Sequence, residues 1–329
     1  MKYSTLLLAT LVLAATGPPN FSDSEQAIRF GEFAFAPGLR KVLIPGGNTM
    51  KMALVEPDTQ NIEIVAGFGV SLNSSDAARD GLTSADACRN LIYAADRGED
   101  LLYVVDPHTR TVVASVPLAS KPEHVRFVAD TDEIWVTEPS SERIEFFTLP
   151  GQGIPQPKHT GFLTLAGEPR SLVVDHTRGR AYANLSSDTT LAVRITDHQV
   201  VSRWLNGCRR SGGIALAEKR GFLFVGCTGG GVTVLDVASG KFLGKAESGS
   251  NTAVIAYNQK LNHLYVLEPE TDILAIVGIS KTGAGKVLDT VRTAGQSNCV
   301  IADDRQHVYV CDPSRGTLLT YKDSLPATM

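Results

Sequence analysis

Residues 219–244 read KRGFLFVGCTGGGVTVLDVASGKFLG. Two apolar runs, FLFVGC (222–227) and VTVLD (232–236), flank the glycines Gly229 to Gly231. A polar turn then leads to a third run at KFLG, and GIALA (213–217) precedes the whole stretch. Short runs of β-branched and aromatic residues between turn formers describe antiparallel hairpins. Four such runs make one small sheet, which cannot bury both of its faces alone.

The same pattern recurs along the chain. The run corresponding to FLFV appears as KVLI, LIYA, EIWV, RAYA, HLYV and HVYV, with its third residue at Leu43, Tyr93, Trp135, Tyr182, Phe224, Tyr265 and Tyr309. Successive markers lie 50, 42, 47, 42, 41 and 44 residues apart. A period of about 40–50 residues built from short strands is that of a β-propeller. Seven copies therefore predict an all-β, seven-bladed ring, with residues 18–329 as one domain. The last copy ends after its third strand (317–322). An N-terminal strand near Gln26 to Phe30 is expected to supply the missing fourth and so close the last blade. Two long loops interrupt the period, at Ser71 to Asp80 and at Pro150 to Thr160.

Three stretches carry a family resemblance: LNHLYVLEPETDILAIVG (261–278), residues 219–244, and LIYAADRGEDLLYVVDPHTRTVVASV (91–116). They resemble the YVTN-repeat propellers of exported bacterial proteins, related to the amine-dehydrogenase-like propellers. The resemblance implies the fold and an exported protein. Its shared residues are core and turn residues, so it implies no particular chemistry. Superfamily likeness alone raises a redox subunit near a quinone cofactor as a further reading.

The N-terminus reads as an export signal over residues 1–17. Lys2 gives the positive charge, Leu6 to Ala15 the apolar stretch, and Ala15 to Gly17 the small residues of a cleavage site. The stretch is too short to span a bilayer, and no membrane insertion is expected. A periplasmic or extracellular location follows. The net charge of −4 and the absence of a basic stripe argue against nucleic acid. The partner is expected to be a protein or a small molecule, and the chain a monomer.

Of five cysteines, Cys208 and Cys227 bracket the first two strands of blade 5, and Cys299 and Cys311 those of blade 7. In an oxidising compartment this placement predicts the disulfides Cys208–Cys227 and Cys299–Cys311, leaving Cys88 free.

Loops entering the inner strands gather around the mouth of a propeller's channel. They carry Glu123, His124, Arg170, Arg210, Asn251 and Asn298. One reading places a divalent cation on Glu123, Asn251 and Asn298 with His124 beside them, as oxygen ligands suit a hard cation. Such an ion would polarise a lactone or ester carbonyl and make the chain a lactonase or lyase. These residues equally fit solvated turns, with His124 capping a strand end. A Ser-His-Asp hydrolase has no support, because no G-x-S-x-G elbow is present. The leading expectation is a binding or scaffold propeller that uses its loop face.

Overall fold

The computed structural model describes residues 27–69, 81–151, 156–246 and 254–329. Seven antiparallel sheets follow one another in chain order. Six have four strands each; the last, in blade 7, has three among the described residues. The protein is a seven-bladed β-propeller. Blade 5 is typical, with strands Ser211–Ala217, Phe222–Cys227, Val232–Asp236 and Phe242–Ala246 from the channel outward. Its first turn, Glu218–Arg220, is a single 3-10 turn closed by Gly221 at φ 72°, a left-handed backbone that glycine adopts without a steric penalty. Every residue of the second strand is buried, whereas the outer strand is mostly exposed.

All seven marker residues are wholly shielded from solvent. They belong to seven separate apolar clusters, each drawn from two adjacent blades, so every seam has its own core. Several markers carry polar atoms that burial would penalise without a partner. Trp135 Nε1 donates to Glu133 at 3.0 Å and Tyr182 to Asp175 at 3.1 Å. Tyr265 donates to Asp323 at 2.7 Å, and Tyr309 accepts from Gln60 Nε2 at 3.0 Å. The aromatic repeat is thus a packing repeat.

The N-terminal segment fastens blade 7 to blade 1, but along the seam. The N–H of Ile28 donates to Pro313 O at 3.0 Å, in the turn ahead of the strand Thr317–Lys322. Ile28 and Phe30 are buried in the cluster that holds Val42 and Ile44 of blade 1 and Tyr309 and Cys311 of blade 7. Burying two such side chains contributes roughly 3–6 kcal/mol. Residues 27–30 form no ladder with Thr317–Lys322. Their alternating Ile28 and Phe30 are drawn into the seam instead, and Gln26 lies outside the described residues. Beyond Phe30 the chain turns into the channel. Gly31 N–H donates to Pro45 O at 2.9 Å and Glu32 N–H to Thr83 O at 2.7 Å. The track is tight: a Cβ on Gly31 would lie 2.4 Å from Thr83 O, and one on Gly47 1.6 Å from Arg29 O.

Residues 1–17, and with them the expected export signal, lie outside the described residues. Among the described residues no helix is long and apolar enough to cross a membrane.

Candidate functional site

The inner strands enclose a cavity of about 710 Å³ at the channel mouth. Its two sides differ in chemistry. Blades 2 to 4 contribute Thr83, Asp86, Arg126, Arg170 and Ser171 from their inner strands, with Glu123 and His124 on the loop entering blade 3. Blades 5 to 7 and blade 1 contribute Ile214, Val254, Ile301 and Phe35, each half-buried against the open space. The apolar side is made of inner-strand residues that also pack into the seams. Alternate residues turn to opposite seams, Ala215 and Ile255 to one core and Ile214 and Val254 to others, and the inner edges of both sets border the cavity.

Glu32, from the N-terminal segment, sits in the charged side. Its carboxylate receives both terminal nitrogens of Arg126, Nη2 to Oε1 at 2.6 Å and Nη1 to Oε2 at 2.9 Å. Ser84 Oγ donates to Oε2 at 2.8 Å, and His124 Nδ1 lies 2.9 Å from it. Such two-pronged guanidinium contacts are among the stronger hydrogen bonds in proteins. Burial alone would raise the Glu32 carboxyl. The Arg126 guanidinium and His124 outweigh that and hold it well below the usual range. Nearby Asp86 is pushed up by burial, against the N–H groups of Phe127 and Ala87 that donate to it at 2.8 and 2.7 Å.

His124 Nε2 faces Arg170 O at 2.7 Å. Both ring nitrogens of His124 thus lie within hydrogen-bond distance of an acceptor oxygen. Ser84 reaches the same Glu32 oxygen as His124. His124 therefore stands beside the acid and not between acid and serine, and no serine relay is assembled.

The loop that carries Glu123 and His124 is itself anchored by two acids of blade 3. Glu138 Oε1 accepts from Ser120 N at 2.9 Å and Glu145 Oε2 from Ala119 N at 3.1 Å. Burial, followed by the neighbouring Glu138, pushes the Glu145 carboxyl up to about 8. Arg143 pairs with Glu138, and His159 Nε2 lies 3.4 Å from Glu145.

Of the six residues expected at the mouth, Glu123, His124, Arg170 and Asn298 line the cavity. Arg210 is exposed and does not line it. Its carbonyl accepts from Thr228 N and Oγ1 at 3.0 and 3.1 Å. Asn251 lies outside the described residues. Glu123 is paired with Arg97, and His124 with Glu32. Among the described residues no cluster of three His, Cys, Asp or Glu side chains is arranged to hold a metal.

Both disulfides lie on the face where the loops enter the inner strands. Cys208–Cys227 and Cys299–Cys311 have Cα separations of 5.2 and 5.6 Å, and Cys88 is free and buried. Two disulfides fit a non-reducing compartment.

No family model matches the sequence, and no curated protein is similar to it at a significant level. Solved structures do resemble it. A chain of Kuenenia stuttgartiensis hydrazine synthase matches with a TM-score of 0.74 at 13% identity, covering 92% of this chain and 97% of that one. A chain of the mitotic checkpoint complex gives 0.73 at 10%, covering 98% and 99%. The β-propeller domain of Myceliophteria thermophila Cps50 (Swd1) gives 0.72 at 8%, covering 92% and 98%. At these identities the likeness is one of fold alone, and it supports the seven-bladed ring.

Sequence reasoning missed Glu32, Arg126 and Ser84. A signal was present for two of them. Glu32 interrupts the aromatic run FGEFAF just ahead of blade 1, and Arg126 is a charge inside an inner strand, VRFV.

Proposed function

We propose that the protein is an exported binding propeller that takes a ligand into the mouth of its channel. The observation that carries this reading is the cavity of about 710 Å³ with one apolar and one charged side. Small-molecule sites combine a largely apolar concavity with a few fixed polar groups, and this volume falls within their usual range of roughly 300–1,000 Å³. The disulfides Cys208–Cys227 and Cys299–Cys311 stiffen the entry to two of the apolar blades, which favours a preformed site. Export is supported by the apolar N-terminus, by the disulfides and by the resemblance of the blade motif to exported YVTN-repeat propellers.

N-phenyl-1-naphthylamine, a neutral probe that brightens in apolar surroundings, tests the channel directly. Its emission should rise on the wild-type protein. Ile214→Arg and Ile301→Trp, which charge or fill the apolar side, should each abolish most of the rise. Emission unaffected by both substitutions would place the probe elsewhere and remove the support for a channel site.

A further inference from the structure

The carboxylate of Glu32 belongs to a segment outside every blade, whereas all the groups that grip it belong to blades 2 and 3. Those groups are fixed by contacts of their own. Arg126 Nε donates to Leu172 O and its Nη1 to Val125 O, both at 2.8 Å. Ser84 Oγ accepts from Val125 N at 3.2 Å, and His124 Nε2 is held by Arg170 O at 2.7 Å. The grip is therefore built independently of the carboxylate that occupies it. Its donor set, a two-pronged guanidinium with an imidazole and a hydroxyl, suits a carboxylate of any origin.

We propose that Arg126, His124 and Ser84 form a carboxylate-binding site that Glu32 fills in cis, and that the ligand of the channel carries a carboxylate which takes the place of Glu32. This rests on the channel being the ligand site. Charge decides the ligand class. A neutral ligand that displaced Glu32 would leave Arg126 enclosed and unpaired, at a large desolvation cost. A carboxylate ligand restores the pair, while Glu32 regains water. The apolar body of the same ligand would lie against Ile214, Val254 and Ile301, which line the opposite side of the same cavity. The ligand class is thus an organic acid with an apolar body.

The test uses 2-naphthoate and its neutral counterpart 2-naphthamide, titrated into the full chain by fluorescence. Glu32→Ala should bind 2-naphthoate at least tenfold tighter than the wild type does, and at least tenfold tighter than it binds 2-naphthamide. Adding Arg126→Gln should erase that preference. Glu32→Gln, which keeps the side-chain shape without the charge, replaces Glu32→Ala if circular dichroism shows the alanine variant unfolded. Equal affinity for acid and amide in a folded Glu32 variant overturns the carboxylate site and leaves the channel reading standing. Failure of a folded Glu32 variant to bind 2-naphthoate overturns the site as well. The neutral N-phenyl-1-naphthylamine result then decides the channel reading separately.

Discussion

The two sides of the channel are held by different chemistry. Blades 2 and 3 are tied to the N-terminal segment through Glu32, Arg126 and His124, a bond set made of charge. Blades 5 and 7, on the apolar side, each carry a disulfide where the chain enters the inner strand. An apolar face offers no ionic partner across the channel, so covalent closure fixes its loops. A charged face needs none, provided that every charge has its counterpart. The side that looks more polar is consequently the one more easily broken by a single substitution or by pH. The apolar side should yield to reductant.

The largest effect is expected from Arg126→Ala. It leaves Glu32 with only Ser84 and His124, and breaking one half of an enclosed pair costs about 3–5 kcal/mol. Glu32 keeps 29% of its side-chain exposure, so the low end, about 3 kcal/mol, applies. Urea unfolding should show this loss, and the double variant Arg126→Leu with Glu32→Leu should recover most of it. A single-variant loss below about 1 kcal/mol would mean that the charged side is not organised by this pair.

Reduction should act on the other side. Removing Cys299–Cys311 or Cys208–Cys227 as a Cys→Ala pair is expected to cost about 2 kcal/mol each. The loops closed are short, with sequence separations of 12 and 19. Dithiothreitol should lower the melting temperature of the wild type and leave that of the four-cysteine variant unchanged. Removing Cys208–Cys227 alone should not alter the effect of Arg126→Ala, because that bond shares no cluster with the N-terminal segment and distant effects add.

Much of this comparison is legible in the sequence, and the part that is not has a physical cause. The ring could be read because Tyr93, Trp135 and their counterparts recur at a fixed place in each blade, where packing demands the same shape. The disulfides could be read because antiparallel neighbours bring Cys299 and Cys311 to one end of a blade. Glu32 could not. Its role depends on a segment crossing from blade 7 over blade 1 to blade 3, and no periodicity encodes a non-repeating path. The segment was instead expected to continue the strand pattern, because QAIRF alternates like an edge strand. That alternation is real, but it serves the seam, where Ile28 and Phe30 are buried.

The last effect is the pH response, in which titration changes a charge while the carboxyl and its hydrogen bonds remain. Glu32 is held below the usual range in the fold by Arg126 and His124, against the opposing pull of burial. Its stabilisation is therefore complete above the unfolded value of about 4.3 and is lost as pH falls through the lower folded value. Glu145 behaves in the opposite sense. Burial and Glu138 raise it to about 8, so the fold retains a proton that the unfolded chain releases near pH 4.3. The stability that this carboxyl lends is whole at acid pH and declines until pH passes about 8. Blade 3 thus carries an acid-sensitive contact toward the channel and an alkali-sensitive one beneath the loop of Glu123 and His124. Urea unfolding at pH values from 3 to 9 checks both. Glu32→Gln should flatten the acid limb alone, and Glu145→Gln should flatten the decline between about pH 5 and 8 alone. A Glu145→Gln profile parallel to the wild type would show that the Glu145 carboxyl is not raised in the fold, and the pH response would then rest on Glu32 only.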